Sequence, residues 1–183
     1  CSSDLNHNEL ADGIGRFGYD PSRLVLNASM EDPFSGTTLN TEEDFEAALK
    51  GGGFIICVDR VLGGRMVSPS EIEVDLVLCT IADLGFTTTT TLRKDVISRG
   101  EDLGLEKCVA EVGPQLRLQY ADQPPGERLI IAMNDYSDYH EQRGVFVVCC
   151  TDKGKLALAG NHGSAIGSRV LLDCQMVFVK PRN

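Results

Sequence analysis

Two stretches decide the fold: Glu71-Ile72-Glu73-Val74-Asp75-Leu76-Val77-Leu78 and Gly144-Val145-Phe146-Val147-Val148-Cys149-Cys150. The first alternates, with Ile72, Val74, Leu76 and Leu78 on one face and Glu71, Glu73 and Asp75 on the other, the period of a half-buried strand. The second is apolar throughout, as expected of a strand covered on both faces. Shorter runs of the same kind lie on either side: Arg23–Ala28, Phe54–Val61, Leu116–Tyr120, Arg128–Met133 and Lys155–Ala159. Thr87–Thr91 is a β-branched run that favours extended backbone. Val170–Val179 reads as one long closing strand with Val170, Leu172, Cys174, Met176 and Phe178 on a common face. Pro124-Pro125-Gly126-Glu127 and Thr151-Asp152-Lys153-Gly154 are turns between such runs.

Only one helix stands out. Asn40 or Thr41 caps it, and Glu42, Glu43 and Asp44 fill the first turn, where carboxylates meet the positive end of the helix dipole. Phe45, Ala48 and Leu49 form its apolar stripe, and Gly51-Gly52-Gly53 ends it. Nine or ten strands with one helix, and no helix-length crossovers between strands, predict a mainly β fold. The expected architecture is an antiparallel β-sandwich of jelly-roll or Greek-key type, with a β-barrel as the alternative. The Gly-rich stretch Gly160–Ser168 followed by a long final strand resembles viral capsid jelly rolls in texture, which implies a capsid-like subunit.

At 183 residues and 19.8 kDa, with 42% hydrophobic residues, the chain fits one domain with a real core. Residues 1–21 are polar and carry no apolar period, so they read as an acidic extended arm on a single β-rich domain at 22–183. No run approaches the roughly 18 apolar residues of a membrane helix, so no transmembrane segment is expected. The net charge of -10 is unevenly placed. Residues 1–46 hold ten acids against two bases, whereas residues 142–183 hold six bases against two acids. That balance, with 6% aromatics and no Trp, disfavours general nucleic-acid binding.

Cys1-Ser2-Ser3-Asp4 is what a lipoprotein shows after signal cleavage, so a lipid-anchored binding module through Cys1 is one reading. The seven cysteines show no CxxC spacing, and most lie in apolar runs as small reduced side chains. Gly13-Ile14-Gly15-Arg16-Phe17-Gly18 matches a dinucleotide-binding pattern but lacks the strand and helix that give it meaning. His7 reads as a solvated residue of the arm, and Asn27-Ala28-Ser29 matches a glycosylation sequon.

Chemistry-bearing residues gather between 134 and 151. Asp135, Asp138, His140 and Glu141 are candidate metal ligands, although their spacing is neither that of a calcium loop nor of a zinc set. Cys150, or its neighbour Cys149, is a candidate nucleophile with His140 or His162 as base and Asp135 or Asp152 as orienting carboxylate. The glycines of 161–168 allow an anion-binding loop. Glu71, Glu73 and Asp75 share one face and lack the opposed geometry of a glycoside hydrolase pair.

These features favour a non-enzymatic structural or assembly protein that binds copies of itself or a protein partner, without a cofactor. The acidic arm, with Asp4, Glu9, Asp12 and Asp20, is expected to meet a basic surface drawn from Arg143, Lys153, Lys155, Arg169, Lys180 and Arg182. The alternative is a Cys/His hydrolase or metal-assisted enzyme built on the 134–151 hairpin.

Overall fold

The computed structural model describes residues 23–26, 38–58, 60–63, 67–70, 72–137, 143–162 and 169–181. The expected arm, the GxGxxG match, His7, Cys1 and the sequon lie outside the described residues, as do Asp138, His140, Glu141 and the loop at 163–168.

The protein is mainly β, with ten strands and three helices among the described residues. The strands are β1 (Arg23–Leu26), β2 (Ile55–Cys57), β3 (Ile72–Thr80), β4 (Thr90–Leu92) and β5 (Arg128–Ile131). They continue as β6 (Tyr136–Ser137), β7 (Arg143–Cys150), β8 (Leu156–His162), β9 (Arg169–Leu171) and β10 (Gln175–Lys180). The helices are α1 (Glu42–Gly51), α2 (Arg93–Asp102) and α3 (Val112–Gln119). One large sheet runs β1-β3-β10-β5-β7-β8-β2 with β6 added to β7, and β4 and β9 form a separate two-stranded sheet.

Several expectations are corrected here. The large sheet is mixed, because β10 pairs with β5 and β8 with β2 in parallel, so it is not a purely antiparallel sheet. It is open, with β1 and β2 as its edges, and so is not a closed barrel. Leu116–Tyr120, expected as a strand, belongs to α3 and its C-terminal cap. The single closing strand is two, because a turn at 172–174 separates β9 from β10 and sends them to different sheets. Ile72 is 42% exposed rather than core, since β3 is covered only from about Leu76 onward.

Helix α1 forms where capping chemistry demands it. The Asp44 backbone N–H donates to the Thr41 hydroxyl at 3.2 Å, while the Asp44 carboxylate accepts from the Thr41 and Asn40 backbone N–H groups. Those bonds hold the Asp44 carboxyl below its ordinary range. Phe45, Ala48 and Leu49 are its buried face, as the sequence spacing requires.

Alternation along β7 and β10 puts Phe146 and Phe178 on opposite faces of the large sheet. Both faces carry a helix at close range. A Cβ built on Gly113 of α3 lies 2.6 Å from the Phe146 ring, and one on Gly100 of α2 lies 2.5 Å from Phe178. Only glycine permits these approaches, so each helix lies flat on its aromatic ring. β7 is consequently buried from Gly144 through Cys150, as its apolar run predicts.

Candidate functional site

A cleft of about 480 Å³ separates the β4–β9 sheet from the large sheet. Its floor comes from Ile130 of β5 and Val147 of β7, which are register partners and therefore share a face, with Val170 of β9 opposite. Two guanidinium side chains line it, Arg128 at the start of β5 and Arg169 at the start of β9. Both residues are exposed, and among the described residues neither is in an ion pair. Arg169 Nη1 donates to Thr90 Oγ1 at 3.2 Å, which ties it to the neighbouring strand β4. Leu171, at the end of β9, also lines the cleft and is 54% exposed. Glu127, Asp173, Cys174 and Gln175 complete the wall.

The turn that starts β5 is fixed by a buried polar cluster. Arg117 is fully buried near the C-terminus of α3. Its guanidinium donates to the Gln123 side-chain oxygen at 2.5 Å, to the Cys149 carbonyl at 3.2 Å and to the Tyr120 carbonyl, and it lies over the Phe54 ring. Burial pushes its pKa down to about 10, so it remains charged at neutral pH. Gln123 in turn donates to the Val148 carbonyl at 3.1 Å. Gln123 also donates to the Glu127 main-chain carbonyl at 3.5 Å, and desolvation raises the pKa of the Glu127 carboxyl from its ordinary value against the opposing pull of Tyr120, Gln123 and Arg117. Gly126, at φ 83°, closes the turn and its N–H bonds the Cys150 carbonyl at 3.0 Å. α3, the turn and β7 are thus locked together directly behind Arg128.

Of the residues singled out from sequence, Cys150 and His162 are kept apart. Cys150 pairs with Leu156 and Gly144 pairs with His162, so Cys150 and His162 lie at opposite ends of the β7–β8 ladder, about 20 Å apart at ~3.3 Å per residue. Cys150 is 3% exposed, and its thiol contacts the Thr151 carbonyl at 3.6 Å. Burial raises Cys149 and pushes the Cys79 thiol up to about 12, the reverse of what a nucleophile needs. Cys57, although it lies in the apolar run Phe54–Val61, is exposed, whereas Cys79, Cys108, Cys149 and Cys150 are buried. Asp135 takes the Arg93 guanidinium at 2.8 Å, an ion pair joining the N-terminus of α2 to the β5–β6 connection. Among the described residues no group of three or more His, Cys, Asp or Glu side chains is placed to hold a metal ion.

Of the basic residues expected to meet the acidic arm, Arg169 lines the cleft, and Arg128, which sequence reading passed over, joins it. The available signal for Arg128 was a lone charge heading an apolar strand after a firm turn. Asp75 sits in register with Lys180 of β10, so a base stands beside its strand face within the sheet.

A second cleft of about 650 Å³ lies between 67–69, 107–111 and 133–134. Its buried carboxylate, Glu111, is already bonded to the Ser68 N–H at 2.7 Å and faces the Gln115 amide, so it serves as a tie between that segment and α3. Among the described residues no helix is long and apolar enough to cross a membrane. Comparison of the chain with protein-family models, with curated proteins and with solved structures returns no match.

Proposed function

We propose that this chain is a non-enzymatic assembly protein, acting by association with copies of itself or with a protein partner. One observation carries the reading: a cleft with an aliphatic floor, two exposed guanidinium side chains outside any described ion pair, and an exposed leucine. That combination suits an extended peptide segment bearing carboxylates and aliphatic side chains. Covering the exposed Leu171 beside that floor, together with the aliphatic side chains of the segment itself, supplies affinity at about 25 cal/mol per Å² of apolar surface removed from water. The arginines orient the segment and select its charge, each exposed pair contributing about 0–1 kcal/mol. The β4–β9 sheet facing β5 and β7 across the cleft supports reading this part of the fold as a sandwich with a two-stranded second layer.

Light scattering of the full chain over a hundredfold concentration range tests the association. The mass is expected to rise above 19.8 kDa with concentration, and to fall back as salt increases. A monomer at every concentration and every salt, with no partner recovered, contradicts the proposal.

A further inference from the structure

Resting on the assembly reading, we infer that the cleft between β9 and β5–β7 receives the acidic N-terminal segment, residues 1–22, of a second copy of this chain. Arg128 and Arg169 lie on strands of different sheets and both line the cleft, with the carboxylates Glu127 and Asp173 in the same wall, so a ligand crossing it meets one guanidinium on each side. The sequence of 1–22 offers the complement: Asp4-Leu5 and Glu9-Leu10-Ala11-Asp12 each set an aliphatic side chain beside a carboxylate, and Asp20 follows. Aliphatic side chains match the floor of Ile130, Val147 and Val170, and carboxylates match guanidinium forks, which bind them with two parallel hydrogen bonds.

Reach permits the exchange. Arg23 opens β1 beside Asp75 of β3, which pairs with Lys180 of β10, and the cleft lies at the other end of β10 near Gln175. At ~3.3 Å per residue and ~4.8 Å per strand this is roughly 20 Å from Arg23, against about 70 Å of extended chain in residues 1–22. A segment of that length reaches beyond its own cleft as well as to it, so the concentration dependence of its docking tells a second copy from its own domain.

The test uses the full chain and two readouts. Arg128→Glu/Arg169→Glu is expected to weaken self-association at least tenfold, as reversal of two facing charges turns attraction into repulsion. Hydrogen exchange is expected to show amides of residues 1–22 protected increasingly with protein concentration, and released in the double variant while β7 stays protected as the control for folding. Association that survives the double variant unchanged overturns the cleft assignment and leaves the assembly reading standing. Protection of 1–22 that is independent of concentration overturns the exchange between copies, because the segment then docks on its own domain. Absence of association in the unaltered chain overturns both.

Discussion

Arg117 shows how much a single buried residue organises. Its guanidinium satisfies two carbonyls and one amide from three segments while stacked on Phe54, a set that a lysine ammonium cannot reproduce from one point. Arg117→Ala strands those acceptors in the interior, and denaturant unfolding is expected to register a loss of about 3–5 kcal/mol. Arg117→Lys is expected to recover only a part of it. Glu127 gives a pH signature with a defined sign. Its folded pKa is raised above the unfolded value, so its contribution is fully favourable below the unfolded carboxylate range and is lost as pH rises through the folded value. Glu127→Gln removes that loss. The stability of the variant relative to the unaltered protein is therefore expected to climb from acid toward neutral pH, and a flat or falling difference in chemical denaturation contradicts the assignment.

At the scale of elements, legibility follows how burial is distributed. α1 was readable because cap, acidic first turn and apolar stripe agree, and Thr41→Ala is expected to cost about 0.5–2 kcal/mol in thermal unfolding by removing the hydroxyl that accepts from Asp44. α3 was not readable because every residue from Val112 to Leu118 is buried, Gln115 and Arg117 included. A helix buried all round shows no stripe, and Leu116-Arg117-Leu118 imitates a strand when the buried arginine is counted as polar surface. α2 escaped for the opposite reason: only Arg93, Val96 and Gly100 are buried, so its apolar face is little more than one valine and one glycine against Phe178. The central strands β7 and β8 were legible because their burial is decided by their own composition. The parallel pairings of β2 and β10 were not, since partner choice depends on the chain path around them.

For the whole molecule, the charge asymmetry seen in the sequence acquires a geometry. Part of the acidic front is neutralised locally in α1, where Glu46 pairs with Lys50 at 2.5 Å, Glu42 approaches Arg60 at 3.5 Å and Asp44 closes its own cap. Of the acids outside those contacts, residues 1–22 carry Asp4, Glu9, Asp12 and Asp20 with Arg16 as their one base, and Glu31, Asp32 and Glu43 follow. Of the two arginines that line the cleft, Arg169 belongs to the basic C-terminal stretch and Arg128 comes from the middle of the chain. The ladder separates Cys150 from His162, so that pairing lacks the geometry of a nucleophile and its base.

Complementation of opposite charge reversals tests this arrangement most directly. One chain carries Arg128→Glu/Arg169→Glu and the other Asp4→Lys/Glu9→Lys/Asp12→Lys, so each alone opposes like charges and a mixture opposes unlike ones. Sedimentation velocity is expected to find each variant monomeric alone and a larger species only in the mixture, weakening as salt rises. Two variants that associate alone as strongly as the unaltered chain, or a mixture that remains monomeric where the unaltered chain associates, would contradict it.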